Sequence, residues 1–168
     1  MKFLLGLFVG PLLLLLLALL YFRMGFAPVA TASPELPFER QLTSMAMKAR
    51  IAKEAPSNTP LHPTEEDFLA GARIYKALCA VCHGMRDDST TPIAKGMFPR
   101  PPLLLRGKGV TDDPPGETWW KVKNGIRLTG MPGFVGSLTD SEIWQVSLLV
   151  ANADKLPPAV TTALDAAK

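Results

Sequence analysis

The chain has 168 residues, about the length of one domain. Its hydrophobic share is 48% and its mean hydropathy +0.17, but the excess is local: residues 3–22 hold 11 of the 25 leucines. That distribution excludes a protein with several membrane spans and a wholly disordered chain, and a net charge of +3 without a dense Lys/Arg tract argues against a nucleic-acid partner.

Residues 3–22, FLLGLFVGPLLLLLLALLYF, carry no charge. At 1.5 Å per residue such a helix spans about 30 Å, the thickness of a bilayer's hydrocarbon core. Residues 1–23 therefore read as an N-terminal transmembrane anchor that meets membrane lipid through 3–22. The rival reading is a signal sequence cut after Ala32, at Ala30-Thr31-Ala32. The apolar run exceeds the roughly 7–15 residues of a signal's core, and that site lies ten residues beyond Phe22, which favours an uncleaved anchor. Lys2 and the terminal amine flank one end against Arg23 at the other, which places the N-terminus in the cytoplasm and the body outside.

Residues 24–63 form a Pro-rich linker interrupted by one helix near 37–55, where Phe38, Leu42, Met45, Ala49 and Ala52 recur at helical spacing before Pro56. Thr64-Glu65-Glu66-Asp67 then has the form of a capping box with acidic residues in the first turn. Phe68, Gly71, Ala72, Tyr75, Leu78 and Cys79 fall on one stripe of the helix it starts.

That helix runs into Cys79-Ala80-Val81-Cys82-His83. Two thiols three positions apart on a helical turn reach the two vinyl groups of one haem, and the adjacent His lies over the iron: this is the c-type haem attachment signal. A thioredoxin-like pair would sit in a βαβ context, and a zinc site would need two more ligands where only His62 is left. For the opposite face of the iron the candidates are Met85, Met97, Met131 and His62. Met85 is too near in sequence to cross the ring, Met97 lies in a Pro-rich stretch, and His62 sits among turn residues. Met131 stands in Thr129-Gly130-Met131-Pro132-Gly133, where glycines allow close backbone approach and Pro fixes the turn. Met131 is the expected partner of His83, giving a closed His/Met iron. Arg100 and Arg106 are candidates to pair a haem propionate.

Further on, Glu117–Asn124 reads as a short helix stopped by Gly125, and Thr139 with Glu142 caps a last helix whose inner face is Ile143, Val146, Leu149 and Val150. Residues 157–168 read as a flexible tail. No strand-like alternation stands out, so the domain is expected to be all-α. About 90 residues make a small core, and haem-free protein is expected to fold poorly.

FLAGARIYKALCAVCHG, FPRPPLLL, WWKVKNGIRLTGMPGF and LTDSEIWQVSLLV, over about 64–152, together resemble class I c-type cytochromes. The resemblance implies a cytochrome c fold over 64–156 around one covalent haem c, tethered by Cys79 and Cys82, its iron held by His83 and Met131. It implies that Gly71 and Tyr75 of the first helix cross the last helix near Trp144. It further implies that a proline carbonyl accepts the Nδ1–H of His83, with Pro101 assigned and Pro99 and Pro102 as competitors, and that Trp120 and Val122 face the haem or a propionate. The family's short glycine-proline loop is replaced here, which leaves the haem contacts within 86–117 open. The function implied is single-electron transfer between redox protein partners, without enzymatic activity, at the outer face of the cytoplasmic membrane in a respiratory chain. The alternatives are a subunit of a larger membrane redox complex or exported dehydrogenase, and a haem sensor or peroxidase with a labile Met ligand.

Overall fold

The computed structural model describes residues 2–87, 90–106 and 113–166, with side chains from Gly6 onward. The chain divides into two compact units, residues 1–42 and 43–168.

In the first unit, helix α1 covers Lys2–Arg23 with Pro11 inside it. Its stretch Gly6–Arg23 has a mean hydropathy of 2.1 and is long and apolar enough to cross a membrane. Its leucines from Leu7 to Leu20 point outward, as for a helix whose solvent is lipid. A non-helical segment leads to α2, Glu39–Glu54, whose start is tied by the Leu36 N–H donating to the Glu39 carboxylate at 2.8 Å.

The second unit is helical, and its described residues form only one isolated β-bridge, Val135 to Leu138. After α2 come α3 (Glu65–Ile74), a π-helical turn (Tyr75–Cys79), α4 (Ala80–His83), α5 (Pro92–Lys95), α6 (Pro115–Asn124), α7 (Asp140–Ala151) and α8 (Pro158–Asp165). Thr64 caps α3: its hydroxyl accepts from the Asp67 N–H, and its own N–H donates to the Asp67 carboxylate at 3.1 Å. The helix reaches Cys79 by way of a π turn, which places Cys79 and Cys82 on either side of a local change in helical pitch.

Helices α3 and α7 cross at Gly71. A Cβ there would lie 2.5 Å from the Gln145 carbonyl oxygen and 3.2 Å from Leu149 Cβ, so only glycine permits this separation. The Gln145 side-chain amide clasps the crossing by donating to Asp67 Oδ1 at 2.9 Å. Tyr75 is fully buried, and its hydroxyl donates to the Gly84 carbonyl at 2.8 Å. Trp144 is buried and stacks on Trp119 with ring centroids 5.5 Å apart.

The segment read as a flexible tail is α8, and this corrects that expectation for its described part. Val160 and Leu164 are one turn apart and fully enclosed by the core. Lys76 donates to the carbonyls of Ala163 (3.0 Å) and Ala166 (2.6 Å), a cation at the end where helix carbonyls are unpaired. The compact unit also takes in the second half of the arm: Ile51 is buried, Trp120 Nε1 donates to Glu54 at 3.1 Å, and the Pro56 backbone lies against Gly116. The body is thus wider at both ends than 64–156.

The cap of α7 gives a direct test. The Thr139 hydroxyl accepts from the Glu142 N–H, while the Thr139 N–H and hydroxyl both donate to the Glu142 carboxylate at 2.8 Å. Thr139→Ala is expected to cost about 1 kcal/mol, read as a fall in Tm. The Thr139 backbone and hydroxyl bonds hold the Glu142 pKa below its ordinary 4.5. A depressed folded pKa means that the box stabilises above the unfolded value and is lost as pH falls through the folded one. The Tm gap between the parent chain and Thr139→Ala should therefore narrow only in acid, below about pH 4.5.

Candidate functional site

The functional side chains converge on a cavity of about 370 Å³ inside the second unit. One part of its wall is Leu78, Cys79, Cys82 and His83, delivered by the π turn and α4. Core residues Val146 and Val150 of α7 and Leu104 line it further. Burial, with some help from nearby Cys82, pushes the Cys79 thiol up to about 12, so it stands as a neutral group on an apolar wall.

His83 Nδ1 lies 2.8 Å from the Pro102 carbonyl oxygen. A carbonyl can only accept, so Nδ1 carries the proton and Nε2 keeps its lone pair. Burial lowers the His83 pKa and the bond to Pro102 opposes it, with burial the larger effect. The ring is accordingly a neutral imidazole with one nitrogen fixed and the other ready to bind a metal.

Met131 reaches the same cavity from the loop after α6. That loop is laced to the helix end. Ile126 N–H donates to the Met131 carbonyl at 3.2 Å, Phe134 N–H to Val122 at 3.0 Å, and Met131 N–H to Thr129 Oγ1 at 3.1 Å. Gly125, at φ +69°, makes room: a Cβ there would lie 2.5 Å from Gly133 N.

Two expectations are corrected. The carbonyl at His83 belongs to Pro102 and not to Pro101, although Pro101 also lines the cavity. Successive carbonyls of a non-helical proline run point in different directions, so a shift of one residue decides which one meets the ring. Trp120 does not line the cavity and instead donates to Glu54. On α6 the inward residues are Thr118, Lys121 and Val122, and Trp120 lies about 160° around the helix from Thr118's far neighbour Val122 by the 100° step per residue, on a different face. Val122 lines the cavity. Of the arginines, Arg100 lines it and Arg106 does not. Among the other axial candidates, Met97 lines it, while Met85 faces a separate cleft beside α8 and His62 is exposed. Part of the 86–117 segment, residues 88–89 and 107–112, lies outside the described residues.

Sequence reasoning missed Lys121 and Met47. Lys121 lines the cavity and donates to Asp113 at 2.9 Å, and its place one residue before Val122 was the available signal. Met47 comes from α2, across 36 residues from His83, and nothing local announced it.

The chain is similar to known proteins. The family described as cytochrome c oxidase, cbb3-type, subunit III matches residues 66–148. A cytochrome c6 of Limnospira maxima is 31% identical over 86 residues, covering 51% of this chain and 92% of that protein. The chain belongs to the c-type cytochromes. A chain of the reducing HAO-like protein complex of Kuenenia stuttgartiensis is also similar, at 32% identity and a TM-score of 0.48, over 57% of this chain and 47% of that one.

The cytochrome binds haem c covalently, and its chemistry is electron transfer by a haem protein. The cavity fits that group: an apolar lining, two thiols at attachment spacing and an imidazole with its Nε2 free all meet there. When bound, the haem supplies an iron that exchanges one electron. The cytochrome's own residues hold, orient and desolvate. Pro102 fixes the His83 ring, Val122, Val146 and Val150 give the cavity apolar walls that would cover a bound haem, and Arg100 lines it with the paired Lys121 and Asp113.

Proposed function

We propose that the cytochrome is a membrane-tethered carrier passing single electrons at the outer face of the cytoplasmic membrane, within a respiratory chain. Cys79 and Cys82 tether the haem, His83 and Met131 ligate its iron, and Val122 and Pro102 set the ring and the imidazole. The observation that carries this reading is the meeting of His83 and Met131 at one apolar cavity, from segments 48 residues apart. An iron held from both faces has no vacant position for a substrate, which favours electron transfer over catalysis or sensing. Helix α1 supports tethering by its length and hydropathy. Redox proteins are the expected donor and acceptor.

The haem-loaded full chain should show, when oxidised, the weak long-wavelength band of methionine sulfur on ferric haem. Its reduced form should not bind carbon monoxide at neutral pH. Carbon monoxide binding to the native ferrous form would support the sensor or peroxidase reading instead. Membranes washed with carbonate should retain the haem; release of a chain starting at Ser33 would show a cut signal sequence.

The exposed Met45 on α2 favours a second reading, a subunit of a larger redox complex docked through this helix. Sizing after gentle solubilisation separates the two. A free monomer still fully reduced by the native chain supports the carrier.

A further inference from the structure

The haem cavity holds a second thioether that the proposed function leaves unused. Met97 follows Gly96 at the end of α5, as Met131 follows Gly130. The two segments touch. A Cβ on Gly130 would fall on the terminal methyl of Met97, with Met97 Sδ 3.4 Å and Cγ 3.8 Å away. The Met97 thioether therefore lies along the backbone immediately before Met131, in space that any other residue at 130 would fill. Both methionines are half-buried and line the same cavity. Five residues after Met97, Pro102 meets the His83 ring, so this segment reaches from the methionine loop to the imidazole.

The geometry points to Met97 as a reserve sixth ligand, which takes the axial position on the haem iron when Met131 leaves it. This rests on reading Met131 as the resident ligand. The exchange is balanced: one iron–sulfur bond breaks and one forms, with no proton, electron or co-reactant consumed. Both donors are neutral thioethers, so the charge at the iron is unchanged. Methionine is unbranched with three rotatable bonds, and swinging its sulfur requires side-chain rotation more than backbone movement. Oxidation of Met131 to the sulfoxide by a peroxide, which gives one oxygen atom to the sulfur and is itself reduced to water or an alcohol, is one event that would call on it. The iron then stays closed to small molecules where a single-methionine site would open.

The test uses the haem-loaded full chain with Met131→Ala, with Met97→Ala and with both together; Met131→Leu replaces the first if it does not accumulate. The ferric long-wavelength band and carbon monoxide binding by the ferrous form are the readouts. The expected result is that the single variant keeps a thioether band and resists carbon monoxide, while the double variant loses the band and binds the gas. A single variant that behaves like the double one overturns the proposal. A band that survives in the double variant also overturns it and makes another sulfur, such as Met47, the donor. If Met97→Ala alone loses the band while Met131→Ala keeps it, Met97 is the resident ligand, and the reading of Met131 falls with the reserve role.

Discussion

A chain in which Cys79 and Cys82 are both serine carries no covalent haem and loses its cooperative melt. Serine oxygen does not form the thioether that ties the group to the π turn and α4, so haem staining on a denaturing gel disappears. The effect on folding follows from where the haem sits. Its cavity of about 370 Å³ is walled by Val122, Val146 and Val150, members of the main core. Without the haem these apolar walls meet water instead of a packed partner, at roughly 25 cal/mol for each Å² left exposed. A small domain whose whole stability is about 5–15 kcal/mol has little margin for that loss. Far-UV circular dichroism of the double variant should show a broad transition in place of a sharp one. A sharp melt near the parent Tm would show that the helices close on each other without the cofactor.

Gly71→Ala lowers the Tm of haem-loaded protein by about 5–20 °C, the equivalent of roughly 1–3 kcal/mol of overpacking in a domain this small. The added Cβ meets the backbone oxygen of Gln145 at 2.5 Å and its carbonyl carbon at 2.9 Å. Those atoms belong to a helix and cannot rotate away as a side-chain end can. Helices α3 and α7 must separate, which also stretches the Gln145–Asp67 bond of 2.9 Å. The bonds from Gln145 and Thr64 hold the Asp67 carboxyl below its usual range. In the parent that pairing stabilises above the unfolded pKa and is lost as pH falls through the folded one. The variant's acid limb should therefore be shallower. An unchanged Tm would show that the crossing has slack that the distances do not reveal.

The attachment motif, the caps at Thr64 and Thr139 and the stop at Gly125 were legible in the sequence because each is a local arrangement. Thiols three apart on a turn, a hydroxyl three residues before a carboxylate and a glycine at positive φ need only neighbours in the chain. The membrane-length run is legible for the same reason. Tail and arm were harder. Val160 and Leu164 have helical spacing, but eight residues do not hold a helix alone in water, and it took the core and Lys76 to fix α8. Glu54 gained its role only because Trp120 of α6 reaches it, and Met47 only because this part of α2 borders the cavity.

By itself, then, the sequence determined that this is a helical c-type cytochrome with Cys79, Cys82 and His83 at the haem. Only the tertiary structure decided that Pro102 supplies the carbonyl, that Trp120 faces Glu54, and that Met97 shares the cavity with Met131. The physical reason is angular. One residue's step in a proline run or a helix turns a group to another face, and sequence spacing does not say which face is opposite until distant segments pack.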